Sequence, residues 1–172
     1  MEIRKRFHFE AAHRLWNHPG RCAGVHGHSY VVEVFVKGDP DPTTGMVADF
    51  GWVKKIAGEF IDKFDHALIF HSRDPILGPH RNDEVVSKAT SALLEALNPR
   101  WVMVPYMPTA EMMASHFLWH LRRQQVGPYI NFTRVRVHET ETGFAECDSL
   151  VPCQSGNYAD TVFSRAVEEG GK

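Results

Sequence analysis

The sequence predicts an α+β domain, an antiparallel sheet with helices packed on one face. Apolar residues alternate with polar ones near the start and again around residues 26 to 37. Spacings of three and four take over in the middle, and alternation returns from about residue 129. The resulting order, strand, strand, helix, one or two further helices, strand, strand, suits helices laid against one side of an antiparallel sheet.

Taken in order, residues 3 to 12 alternate Ile3, Phe7 and Phe9 with Arg4, Arg6 and His8, as in a half-buried strand. After a loop with Pro19 and Gly20, a second strand is predicted from about His26 to Lys37. Tyr30, Val32, Val34 and Val36 share the parity of His26 and His28. G-D-P-D-P-T-T-G at 38 to 45 is a turn signal, and M-V-A-D-F after it reads as a short extended piece. Asp49 opens a helical pattern through Phe50, Val53, Ile56, Phe60 and Phe64, ending at Asp65 and His66.

A second helix is predicted from about Asn82 to Leu97, with Val86, Ala89, Leu93 and Leu97 on its inward face and Pro99 beyond its end. A third follows Pro108, with Thr109 as N-cap and Met113, Phe117 and Leu121 toward the core. Gly127 and Pro128 close it. Residues 129 to 139 alternate again, placing Val135, Val137 and Glu139 on one face, and a final short strand is expected from Phe144 to Asp148. The tail from about Pro152 to Lys172 has weak periodicity and reads as partly helical or loosely packed.

At 172 residues the chain suits one domain, over 1–150, with 151–172 as a C-terminal tail. A formal net charge of -2 gives no basic face of the kind nucleic-acid binding uses. Three cysteines, Cys22, Cys147 and Cys153, are an odd number without a framework and point to a reducing cytoplasm. No apolar run is long enough to span a membrane, and the charged start M-E-I-R-K-R-F-H-F-E lacks a secretory signal's apolar stretch. The expected partner is a small molecule, with no nucleic acid and no membrane.

The chemistry concentrates in His13, Cys22, His26 and His28. On a strand His26 and His28 project together, and Gly27 between them lets the chain approach what they hold. Antiparallel pairing of the first two strands brings His13 alongside. Three neutral imidazoles are the ligand set of a catalytic zinc with an open fourth position. Cys22 is then either a fourth ligand that closes the site or a free thiol aimed at substrate, and spacing leaves both open. With eleven histidines in the chain, satisfied polar residues are the ordinary alternative.

Asp65 and His66 sit at a helix end, where a carboxylate can orient an imidazole for acid or base work or a polar pair simply ends the helix. Glu111 fits the first turn of the third helix as ordinary capping. Glu139 shares a face with valines and needs a partner there. It could accept two N–H groups from an amino-pyrimidine ring or pair with Arg134 or Arg136.

The strings F-H-F-E-A-A-H-R-L, C-A-G-V-H-G-H-S-Y, Asp65-His66, P-T-A-E at 108 to 111 and V-x-V-x-E-T at 135 to 140 occur in one order. Together they resemble the family of 6-pyruvoyltetrahydropterin synthase and QueD, the 6-carboxytetrahydropterin synthase. The resemblance implies a tunnelling fold, a four-stranded antiparallel sheet with two to three helices on one face, whose subunits join sheets edge to edge and stack as two trimers into a homohexamer. It implies zinc ligands at His13, His26 and His28, and a catalytic Cys22 that is not a ligand. Asp65 and His66 become a second acid–base unit, and Thr109, Glu111 and Glu139 lie around the pterin.

The three residues between Cys22 and His26 resemble the QueD branch, which converts 7,8-dihydroneopterin triphosphate to 6-carboxy-5,6,7,8-tetrahydropterin for queuosine and other deazapurines, releasing triphosphate and acetaldehyde. The pyruvoyl synthase, which keeps the carbon–carbon bond, and a non-catalytic zinc- and pterin-binding homologue are the alternatives. Against compact QueD proteins the chain carries an insertion at about 71–107. In it His71, Arg73, His80 and Arg81 are either triphosphate contacts or, as loops usually are, solvated.

Overall fold

A computed structural model of the chain describes residues 1–79, 83–97, 100–124, 130–151 and 157–164. Its strands are β1 (Glu2–His13), β2 (His26–Gly38), β3 (Ala67–His71), β4 (Trp101–Val104), β5 (Ile130–His138), β6 (Phe144–Cys147) and β7 (Val162–Phe163). Its helices are α1 (Phe50–Ile61), α2 (Glu84–Leu97) and α3 (Ala110–Arg122). The strands are hydrogen-bonded in the order β6-β5-β2-β1-β3-β4-β7. Met1 and Gly38 exchange backbone hydrogen bonds of 2.9 and 3.1 Å, so β1 starts beside the end of β2 and the two run antiparallel. β2 with β5, and β5 with β6, are antiparallel as well.

The expected four-stranded antiparallel sheet is therefore β6-β5-β2-β1. Parallel β3 and β4 and the short antiparallel β7 extend it. The piece expected to be extended at M-V-A-D-F is instead a turn into α1, where Asp49 Oδ1 accepts the Trp52 N–H at 2.9 Å as an N-cap.

The chain divides into two compact units. The first holds Met1–Phe9, Ser29–Asp62 and Ala110–Pro152. One face of β2 buries Tyr30, Val32, Val34 and Val36, the parity predicted for it, and Phe9 stacks on Tyr30 with ring centroids 4.8 Å apart. α3 packs on β5 and β6 through Met113, Phe117 and Leu121 as its spacing predicts, and α1 lies on α3 with Val53, Ala57 and Phe60 buried. The opposite face of β2 carries Glu33, which accepts from Arg4, Arg6 and Arg136 at 2.8, 2.9 and 3.1 Å. Burial opposes its ionisation, but hydrogen bonds from Arg6 and His138 and the charges of Arg4 and Arg136 outweigh that and hold its carboxyl below the usual range.

The second unit holds Glu10–His28, Lys63–Thr109 and Cys153–Lys172. β3 and β4 bury Ile69, Phe70, Val102 and Val104. Phe64 meets Phe163 edge-on at 5.6 Å, and Tyr106 meets Tyr158 at 5.5 Å, so part of the tail is ordered as a short helical turn and β7. α2 is helical where predicted, but its face is not. Only Leu94 is buried among its residues, while Val86, Ala89, Leu93 and Leu97 are exposed. An apolar stripe sets a helix's preferred side, not whether the fold supplies something to cover it.

Candidate metal centre

Strand parity puts the His26 and His28 rings on one face of β2, and antiparallel β1 delivers His13 to the same place. Ring centroids are 4.5 Å apart for His13 and His26, 5.2 Å for His13 and His28, and 5.0 Å for His26 and His28. One ligand nitrogen from each ring lies within 4.8 Å of the others. At Gly27 a Cβ would stand 3.2 Å from the Ala11 carbonyl oxygen, so the glycine permits the backbones of β1 and β2 to close up.

Two backbone carbonyls set the tautomers. His13 Nδ1 is 2.7 Å from the Pro108 oxygen and His26 Nδ1 is 2.9 Å from the Gly24 oxygen. A carbonyl only accepts, so both Nδ1 atoms carry hydrogen, and in its neutral form each ring turns a bare Nε2 inward. Those Nε2 atoms are 3.1 Å apart. Two lone pairs facing at that distance repel unless positive charge lies between them. Tetrahedral zinc with Zn–N of about 2.0–2.1 Å places its nitrogens roughly 3.3 Å apart, so this donor set fits zinc with its outer carbonyls already in place.

Cys22 stands outside the group of side chains able to share an ion among the described residues. It is a half-buried free thiol in the helical turn Arg21–Ala23, and its carbonyl accepts the Leu15 N–H at 2.9 Å, tying the loop to the chain just past His13.

Asp65 and His66 form a unit of their own. His66 Nδ1 is 2.8 Å from Asp65 Oδ2, while Asp65 Oδ1 accepts the Glu10 N–H at 2.8 Å. Burial works against ionisation of Asp65. The Glu10 N–H, the His66 hydrogen bond and the charges of His66 and Arg100 prevail and hold it below the usual carboxylate range. Among the described residues His66 is the one non-glycine with positive φ, at 55°, a conformation that costs about 1–2 kcal/mol for an ordinary L-residue. The pair is anchored at Glu10, three positions before His13 on β1.

The remaining predicted site residues are more dispersed. Thr109 follows the Pro108 that holds His13, and its N–H donates to the Met107 oxygen at 2.7 Å. Glu111 is exposed in the first turn of α3. In the first unit, Glu139 accepts from the Tyr30 hydroxyl at 3.4 Å. The anticipated arginines have other carboxylates: Arg134 pairs with Glu2 and Glu146, and Arg136 with Glu33 and Glu146. Burial first, and Glu139 second, push the Tyr30 phenol up, so it remains a donor. His71 is buried rather than solvated, its Nδ1 accepting the Arg73 N–H at 2.7 Å. Burial, then the Arg73 charge, outweigh Asp74 and push its pKa down. Arg73 itself is exposed, and His80, Arg81 and Cys153 lie outside the described residues.

Residues 2–149 match the model of the 6-pyruvoyl tetrahydropterin synthase family. The chain belongs to that family. Among its curated relatives are proteins named 6-carboxy-5,6,7,8-tetrahydropterin synthase. The one from Rickettsia felis is 31% identical over 144 residues, covering 83% of this chain and 96% of the relative. That from Haemophilus influenzae is 32% identical over 149 residues, covering 84% and 96%. An uncharacterized protein from Wolinella succinogenes has a solved structure 27% identical with a TM-score of 0.69, covering 87% of this chain and 98% of that one. The 6-pyruvoyl tetrahydropterin synthase of Caenorhabditis elegans, 22% identical with a TM-score of 0.58 and covering 87% and 95%, shares the fold.

For a 6-pyruvoyl tetrahydropterin synthase family member, motif reading missed the groups that support the side chains. The Gly24 and Pro108 carbonyls, the Glu10 backbone and Arg100, whose Nε–H donates to the Asp65 oxygen at 2.9 Å, were not legible. Main-chain acceptors carry no residue signature, and Pro108 alone had a cue, its place at the head of P-T-A-E.

Proposed function

We propose that the chain is a zinc-dependent lyase that converts 7,8-dihydroneopterin triphosphate and one water to 6-carboxy-5,6,7,8-tetrahydropterin, with release of triphosphate and acetaldehyde, in queuosine and deazapurine synthesis. The observation that carries the proposal is the tri-histidine cluster with two Nε2 atoms bared by backbone carbonyls. The choice of the carboxy product rests on relatives of that name matched over 96% of their length, together with the Cys22 to His26 spacing.

His13, His26 and His28 would hold a zinc ion, which when bound would supply a Lewis acid toward the substrate's side-chain oxygens. In this reading Cys22 moves a proton at the side-chain carbons, which agrees with its place outside the ligand group. His66, oriented by Asp65, serves as the second acid–base group. Glu139 anchors the pterin ring by accepting its N–H groups while Tyr30 donates to one carboxylate oxygen. Thr109 and Glu111 complete the ring's surroundings.

We read residues 1–150 as one catalytic domain, supported by the family match over 2–149. It is placed in the cytoplasm, where Cys22 stays a thiol. No helix is long and apolar enough to cross a membrane among the described residues. A homohexamer built as two trimers follows from the family resemblance. It is supported by β3 pairing only with Ala11–His13 of β1, which leaves the earlier part of β1 an open edge to be covered among the described residues.

The test is incubation of the metal-loaded protein with 7,8-dihydroneopterin triphosphate, with pterin mass, acetaldehyde and zinc measured on one sample. Equal amounts of 6-carboxy product and acetaldehyde, with about one zinc per chain, are expected. A 6-pyruvoyl product without acetaldehyde assigns the sister reaction, and zinc with bound pterin but no turnover assigns a binding protein. Cys22→Ala is expected to abolish turnover and retain zinc. Loss of zinc in that variant would make Cys22 a ligand.

A further inference from the structure

His66 holds its left-handed backbone although it is not glycine, so the fold must over-determine the turn. Inside the second unit, bonds from outside residues 65 to 68 do so, and three of them fix the main chain on either side of His66. The His66 N–H donates to the Glu10 oxygen at 2.6 Å, Arg100 Nε–H donates to the Asp65 oxygen at 2.9 Å, and the Leu68 N–H donates to the Arg100 oxygen at 2.9 Å. Glu10 contributes only main-chain atoms to that set, as any residue of β1 could. Arg100 contributes its side chain on one side of His66 and its carbonyl on the other. It also begins β4's approach to β3, since Leu68 and Trp101 are paired in register directly after it.

We propose that Arg100 is the positioning residue of the Asp65–His66 unit, gripping the peptide before His66 with its guanidinium and the one after it with its main chain. A guanidinium suits the task because it is a fixed planar donor that cannot lose its proton, so the grip persists while the neighbouring imidazole changes charge. The carbonyl of Arg100 pairs with Leu68 whatever residue stands there. The side-chain bond to Asp65 is the part that requires arginine. With it gone, the φ of His66 can relax, and the Asp65–His66 pair loses its set geometry while the zinc-binding histidines on β1 and β2 are untouched. The catalytic consequence rests on the function proposed above; the conformational one does not.

The experiment compares Arg100→Met and Arg100→Lys with the parent as zinc-loaded full-length proteins. Amide hydrogen exchange of His66 is read by NMR, and kcat and KM are measured with 7,8-dihydroneopterin triphosphate. In Arg100→Met, His66 exchange is expected to rise about tenfold while Ile69 and Val102 stay within about twofold. The kcat should fall about tenfold with KM within about twofold. Arg100→Lys, which restores a donor without the planar fork, should recover part of both. Unchanged His66 exchange in Arg100→Met overturns the proposal. So does acceleration spread evenly over β3 and β4 with KM rising as kcat falls, because that pattern is a general structural role. If Arg100→Met does not fold, the same local-versus-even comparison in Arg100→Lys decides. Should the parent make no pterin product, the proposed function fails while the exchange comparison still judges Arg100.

Discussion

The tri-histidine cluster and the Asp65–His66 turn are both hung on β1, three residues apart, yet they are built in opposite ways. The histidines sit on regular strands. Alternation chooses their face, antiparallel pairing chooses their neighbours, and two nearby carbonyls choose their tautomers. The Asp65–His66 unit sits on a backbone that an ordinary residue avoids, and it is kept there by bonds from Glu10 and Arg100. Ligands that must present lone pairs to one point gain from regularity. A pair held at one fixed angle, as the proposed proton-transfer role of Asp65 and His66 would require, instead tolerates strain, provided distant groups supply the restraint.

Breaking the first member of that comparison should have the largest effect. His13→Ala removes a ligand, and zinc should be lost with turnover falling about 10³-fold or more, checked by metal analysis and the product assay. Asp65→Asn attacks the second member. It should retain zinc and lower kcat about 10²-fold, because the amide cannot stabilise a charged imidazole. The lowered Asp65 pKa also fixes a sign: its ionised form adds stability above the usual carboxylate range, and that contribution disappears as pH falls through the depressed folded value. The Asp65→Asn variant should therefore lose less thermal stability on acidification than the parent does.

A control away from both sites sharpens the contrast. Burial, and then His120, push His116 down to about 3. Its neutral form is stabilising above the ordinary histidine value, and that stability drains away as pH falls below about 6.5. His116→Leu should flatten the acid limb of a melting-temperature profile between about pH 6.5 and 4, leaving zinc content unchanged. The smallest effect is expected at Leu97, exposed on α2. Leu97→Glu should change stability by no more than about 0.5 kcal/mol, as measured by urea unfolding. A loss well beyond that would restore the inward face read from its spacing.

How much of this was legible follows from the same contrast. β1, β2, α1, α3, β5 and β6 announce themselves because each is long enough, or regular enough, for its period to show. Strands β3, β4 and β7 are five, four and two residues long. β3 is buried along nearly its whole length, so Ala67 to His71 has no alternation to read. The histidine triad could be found because parity alone brings His26 and His28 together. Arg100 could not, because an arginine reaching a main-chain oxygen 35 positions away leaves no pattern in its neighbours. The stretch after β3 also conceals Asp74, which is buried, pairs with Arg14 at 3.2 Å and caps Ile76 and Leu77, although its composition reads as solvated loop.

The bond from His13 to the Pro108 oxygen spans 95 positions of sequence. It makes the ligand's electron-donating power depend on where residues 107 to 109 stand. A displacement that lengthens this bond weakens the push from Nδ1 into the ring, and so the hold of Nε2 on a cation. By thermodynamic reciprocity, filling the metal position must tighten that distant stretch of chain by the same free energy. Metal affinity in this protein is thus expected to gauge the order of residues 107 to 109, and a chelator titration becomes a reading of their backbone conformation.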